Sequence, residues 1–251
     1  MTKHQAVPDW FYEKHKTVCF WAYESDADNA LAELDALEAG IISENWSERE
    51  VLNYLRGRSN LLSGSYRDGH GTFVFREATL GPYQADYLVA SGHSGGLDWE
   101  LIELECPQKI PFISDGGFSE STRKGFNQIL EWRRWLERQI ASVQGSSHDQ
   151  LGYFGLSNRA AGIVVVGNRE KYEVCDSNRL ARFYERREEA KHENGIEVIS
   201  YQTWIGRMRN GFRKSNKSAV PRHAVPPTMA RPPCGDVIDA KTDVKDAGSA
   251  Q

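Results

Sequence analysis

Two neighbouring apolar segments of this 251-residue chain carry carboxylates where a core strand ordinarily has none. The first is Tyr83-Gln84-Ala85-Asp86-Tyr87-Leu88-Val89, and the second contains Leu101-Ile102-Glu103-Leu104-Glu105-Cys106-Pro107. A Gly/Ser-rich stretch, Ala90 to Gly96, separates them and reads as the turn of a hairpin. Side chains alternate between faces along a strand, so Glu103 and Glu105 share one face and Leu104 takes the other. Hairpin pairing brings Asp86 close to Glu103. Three carboxylates in one patch repel each other and lose hydration, so a cation is expected to compensate. A divalent ion such as Mg2+ suits a donor set made only of oxygens. The competing reading puts both glutamates on the wet face of an edge strand, where polar alternation is ordinary.

The surrounding elements follow from periodicity. Thr72-Phe73-Val74-Phe75-Arg76-Glu77-Ala78 forms a strand within Gly71 to Thr79, which completes an antiparallel meander with the two carboxylate segments. Ser121 to Val143 is a long helix, with Phe126, Ile129, Leu130, Leu136, Ile140 and Val143 on one apolar face. Gln128, Trp132, Trp135 and Gln139 fall on a second face, where packing against the sheet is the expected role of the tryptophans. The β-branched run Ala161 to Val166 suits the middle of a sheet. A charged helix from Asn178 to Glu193 leads to a strand from Ile196 to Tyr201, so a right-handed crossover makes the two strands parallel. A final helix spans Thr203 to Phe212. Upstream, Val18 to Tyr23 reads as a short strand and Asn29 to Ala39 as an acidic helix. Ser47 and Glu50 have capping-box spacing at the start of a helix from Glu48 to about Arg56. Asp115-Gly116-Gly117 reads as turn chemistry, although Asp115 is also a possible extra carboxylate near the patch.

An aspartate-bearing strand, a strand with paired acids and a helix with glutamine resemble the PD-(D/E)xK nuclease arrangement. The fuller run resembles the Shedu anti-phage defence family. It comprises Trp99-Glu100-Leu101-Ile102-Glu103-Leu104-Glu105-Cys106-Pro107, Phe126-Asn127-Gln128-Ile129-Leu130-Glu131-Trp132, Gly162 to Val166 and Ile199-Ser200-Tyr201-Gln202-Thr203-Trp204. The resemblance implies a restriction-endonuclease-like α/β (α+β) fold, a mixed sheet flanked by helices, over residues 45–212. An extension occupies 1–44 and a Pro-rich disordered tail 213–251. It also implies a Mg2+- or Mn2+-dependent endonuclease acting on DNA, in a protein that is a homo-oligomer. Asp86, Glu103 and Glu105 would then be metal ligands and catalytic groups, with Gln128 a fourth catalytic group. Glu50 is the match for an acid lent by the helix before the first core strand, although its capping role is complete by itself. One departure stands out: the family's motif lysine is replaced here by Glu105. Lys109 and Lys124 are the candidates to supply that cation from elsewhere. A catalytically degenerate module that binds nucleic acid or protein is the alternative.

Charge and composition narrow the remaining classes. A net charge of −4 does not suggest a general nucleic-acid coat, so any DNA contact must be local. Arg133 and Arg134 on the long helix are candidate phosphate contacts. Gln202 to His223 holds six Lys/Arg and no acid, which makes Arg207, Arg209 and Arg213 further candidates. There is no apolar run long enough for a membrane span and no signal-peptide pattern. Cys19, Cys106, Cys175 and Cys234 are widely spaced and match no zinc pattern, as expected for reduced thiols of a cytoplasmic protein.

Overall fold

The computed structural model describes residues 8–15, 19–20, 27–66, 71–173 and 176–217. Of the tail expected over residues 213–251, residues 213–217 continue the last helix and those from 218 onward lie outside the described residues, as do the flanks of the expected strand at Val18 to Tyr23. One six-stranded sheet organises the rest, with its strands in sequence order. They are β1 (Cys19–Phe20), β2 (Gly71–Leu80), β3 (Tyr83–His93), β4 (Gly96–Leu104), β5 (Ala161–Val165) and β6 (Ile196–Ile199). β1 to β4 pair antiparallel, and β4, β5 and β6 pair parallel, so β4 joins the two halves. The hairpin turn is tighter than its Gly/Ser composition suggests. Ala90, Ser91 and Gly92 stay in the ladder opposite Trp99, Asp98 and Leu97, and the chain reverses between His93 and Gly96.

Helices cover both faces. On one side lie α1 (Asp9–Lys14), α4 (Glu120–Gln144) and α6 (Ser177–Asn194), which pack Phe11, Ile129, Trp132, Leu136 and Phe183 against Leu88, Leu101 and Val164. On the other lie α2 (Ala27–Ser43), α3 (Glu48–Leu55) and α7 (Tyr201–Lys217), with a 3-10 helix at Ser59–Tyr66. Leu34, Leu37, Val51, Leu55, Trp204, Met208 and Phe212 form that second core with Tyr87, Ile102 and Leu104. This is the expected mixed sheet flanked by helices, a restriction-endonuclease-like α+β arrangement. α1 and a short α5 (Arg169–Glu173) were not anticipated from periodicity, because each is too brief to show one.

Local chemistry explains the helix ends. The Ser47 hydroxyl accepts from the Glu50 N–H, and the Glu50 carboxylate accepts from the Ser47 N–H at 2.7 Å. α7 starts earlier than expected because the Ser200 hydroxyl accepts from the Thr203 N–H. α6 ends at Gly195, whose φ of 57° is left-handed and costs glycine little. In α4 the buried side is Thr122, Gly125, Ile129, Trp132, Leu136 and Val143. The helix breaks at Gln139, and Ile140 just beyond is 38% exposed, so the face expected from periodicity is interrupted there.

One irregularity positions the site. In β2, Phe73 and Phe75 face the first core and Val74 the second, yet Ala78 and Leu80 also face the first. In β3, Leu88 and Ala90 face the first core and Tyr87 and Val89 the second, yet Ala85 faces the first. Both strands therefore lose one step of alternation. The loss lies between the Arg76–Tyr87 and Ala78–Ala85 pairs, where Glu77 adopts φ 49°. Because the register is the same on either side, this is a matched kink in two strands and not a one-sided bulge. Asp86 sits in it. Ser47→Ala should lower stability by about 1 kcal/mol through loss of the cap. Chemical denaturation measures this, with no change expected in the midpoint slope.

Candidate active site

Asp86 and Glu103 meet where the β3–β4 ladder stops. The last backbone pair is Tyr87–Ile102, and beyond it side chains replace main-chain partners. The Asp86 carboxylate accepts from the Leu104 N–H at 2.8 Å, and the Glu103 carboxylate accepts a long bond from the Asp86 N–H at 3.4 Å. Leu101 faces the first core and Leu104 the second, so Glu103 and Glu105 project from the face that α4 covers. Glu103 is only 3% exposed. Burial raises the Asp86 carboxyl well above the ordinary range; the bond from Leu104 opposes this and the Glu105 charge adds to it. Burial and the Asp86 charge raise Glu103 further still. Two acids in this state resist being ionised together unless a cation joins them.

Glu105 is held differently. Its N–H continues the parallel ladder to the Val165 carbonyl at 2.8 Å, and its carbonyl accepts from the Tyr201 hydroxyl at 2.7 Å. Its carboxylate accepts from the Ser121 hydroxyl at 2.9 Å, and Lys124 Nζ lies 3.1 Å from its other oxygen. Gly125 permits this approach, since a Cβ there would stand 2.9 Å from Val164 Cγ1 and 3.3 Å from Glu105 Cγ. Lys124 is therefore the lysine that meets the carboxylates, whereas the Lys109 side chain is exposed. Desolvation lowers the Lys124 ammonium, but the charge and hydrogen bond of Glu105 outweigh it and the net shift is upward.

Glu48, the first residue of α3, also belongs here, and sequence reasoning passed it over for Glu50. Burial raises its carboxyl; Lys124 opposes this, while Glu105 and Asp86 add to it, so it sits within the field of the patch. Helical geometry holds the signal: with Glu50 turned back onto Ser47, Glu48 is free to face elsewhere. Gln128 lies one turn beyond Lys124, and its side-chain oxygen is buried with no protein partner. Asp115 accepts from the Gly117 N–H at 2.8 Å, which is the turn role.

The expected phosphate-binding arginines divide. Arg133 donates to the carbonyls of Asn194, Ala160 and Gly195 and closes the end of α6 onto α4. Arg207 pairs with Glu197 at 2.5 Å, and Arg209 with Asp35 and Glu38 at 2.7 Å each. Acids distant in sequence thus neutralise much of the one-signed run. Arg134 and Arg213 are exposed.

Among the described residues, no group of three or more His, Cys, Asp or Glu side chains converges as a metal cage. Mg2+ usually takes one or two carboxylates, completing its shell with water and substrate phosphate. Asp86 and Glu103 fit that pattern; of the Glu105 oxygens, one accepts from Ser121 and the other is ion-paired with Lys124 but accepts no hydrogen bond. The profile of the Shedu protein SduA C-terminal region matches residues 45–204, more than half of the chain. The chain belongs to the Shedu family. No curated protein matches it. The Shedu match spans α3 to the start of α7 and contains every residue of the carboxylate patch, while α2 precedes it and packs on α7. Membership associates the chain with anti-phage defence. Among the described residues, no helix is long and apolar enough to cross a membrane.

The raised carboxyls set the pH response of the metal-free protein. A group whose folded pKa lies above its unfolded value leaves stability intact below about pH 4, then removes it as pH rises and the unfolded chain ionises first. Melting temperature without divalent ions should therefore fall from about pH 4 upward into the neutral range. Asp86→Asn or Glu103→Gln should flatten that slope, and thermal melts across pH check it.

Proposed function

We propose that this Shedu protein is a Mg2+- or Mn2+-dependent DNA endonuclease acting in anti-phage defence. The observation that carries the reading is the Asp86–Glu103 pair: two carboxyls, brought together where the ladder ends, whose ionisation calls for a cation. When bound, the ion would polarise the scissile phosphodiester and lower the pKa of a bound water. Asp86 and Glu103 would hold it. The Leu104 N–H fixes the Asp86 carboxylate in place, and the buried setting limits competing water. Gln128 offers its unpartnered amide oxygen to orient the attacking water. Arg123 and Arg134 are exposed on one side of α4, eleven positions or about three turns apart, and would contact the phosphate backbone. Self-association, implied by the family, is part of the same proposal and is read by sedimentation.

A second reading has its own support. The motif lysine is absent from β4, and no three-group cage forms among the described residues. On that reading the chain binds DNA without cutting it. Calorimetry with Mg2+ and Mn2+, beside cleavage of plasmid and linear DNA, separates the two. The endonuclease reading expects ion binding by the unmodified protein. It also expects losses of at least about 100-fold in cleavage for Asp86→Asn and Glu103→Gln, with the fold kept. DNA binding without ion binding or cleavage would favour the second reading. Under either, replacing Arg123 and Arg134 together by Ala should weaken DNA binding and reduce the salt slope by about 2.

A further inference from the structure

We propose that Lys124, reaching in from α4, takes the place of the motif lysine, and that Glu105 is the positioning residue that holds it. This rests on the endonuclease reading. The position that would carry the lysine carries instead a carboxylate that is 2% exposed, fixed by hydrogen bonds through its N–H, its carbonyl and one side-chain oxygen, while the other oxygen is buried without a hydrogen bond. The ion-pair partner of that second oxygen is an ammonium from the facing helix, 3.1 Å away. The cation at this position therefore comes from the helix and meets the carboxylate of the strand end.

The exposures are unequal in an informative way. The Glu105 side chain is 3% exposed and the Lys124 side chain 56% exposed. A buried carboxylate needs a counter-ion, and a counter-ion serving only that need is best buried with it. Here the lysine side chain stays half-exposed within the charge field of Asp86 and Glu103, and a lysine has three donors, so its ammonium can stay on Glu105 while turning others to a ligand. Gly125, the next residue, lets α4 press against Glu105 so that the lysine stem spans a short, fixed distance. Lys124 would donate to a non-bridging oxygen of the scissile phosphate or to the attacking water, and it would stay protonated throughout. No proton leaves it and no bond to it forms.

The test uses the full chain with Lys124→Ala, Glu105→Gln and the exchange variant Glu105→Lys with Lys124→Glu. Cleavage kcat and KM are read beside Mg2+ calorimetry and melting temperature. Lys124→Ala should lower kcat by about 100-fold or more, with KM changed little. Mg2+ affinity should be unchanged or tighter, because a repelling cation is gone. Glu105→Gln should lower kcat less, since the lysine remains but loses its anchor. The exchange variant restores the ordinary strand placement and should exceed both Glu105→Lys and Lys124→Glu in kcat by at least about tenfold. Wild-type kcat in a folded Lys124→Ala protein would overturn the proposal. So would an exchange variant that folds, binds Mg2+ and cleaves no better than its single parents. Loss of Mg2+ binding in step with kcat in Lys124→Ala would also overturn it, by making the pair structural. If the unmodified protein neither binds Mg2+ nor cleaves, it is the endonuclease reading itself that falls, and Lys124 is then the counter-ion of Glu105 alone.

Discussion

The buried carboxylate of Glu105 is the fixed point on which the site depends. It lies at the end of the strand that joins the antiparallel and parallel halves of the sheet, and three separate elements close on it. β5 receives its N–H, α7 supplies the Tyr201 hydroxyl to its carbonyl, and α4 supplies Ser121 and Lys124 to its side chain. A lone charge at this depth would be costly, and these partners offset that cost. Lys124 is 56% exposed, so solvent screens the pair and losing the lysine alone costs less than losing a partner of a fully buried pair. The same bonds that satisfy the charge also set the distance between α4 and the sheet.

A second constraint acts one strand away. The matched kink in β2 and β3 takes Asp86 out of simple alternation, and the β3–β4 ladder gives way to side-chain bonds at that point. Glu77 adopts a left-handed conformation there, which a non-glycine residue accepts only where its surroundings enforce it. The result is a carboxylate held at its base by a backbone N–H and crowded by a neighbouring acid. Strand order, ladder end and helix approach together bring Asp86, Glu103 and Glu105 into one patch, with Lys124 paired to Glu105.

Much of this was legible in the sequence, for reasons that differ by element. The antiparallel meander of β2 to β4, the parallel placement of β5 and β6, and the long α4 follow from period and spacing, whereas the pairing of β4 with β5 does not. The shared face of Glu103 and Glu105 follows from alternation alone. The kink was not legible, because Arg76-Glu77 and Asp86-Tyr87 look like ordinary strand residues and only the packing on both faces reveals the lost step. Glu48 was hidden by its neighbour: the capping box explains Glu50 completely, and no spacing signal marked Glu48 as lying in the field of Glu105 and Asp86. Lys124 could be named but not placed, since the reach of a helix lysine depends on how near the helix lies, and Gly125 decides that through the Cβ it lacks. The basic run misled in part because its partners, Asp35, Glu38 and Glu197, belong to other elements. Charge along the chain says little about charge after folding.

Crystals soaked in Mn2+ offer the most direct view, because anomalous scattering locates the ion without reference to activity. An anomalous peak at the Asp86–Glu103 pair, with Lys124 still on Glu105, is the expected result. A fully loaded crystal with no peak at that pair, or with the ion bound elsewhere in the molecule, would contradict it.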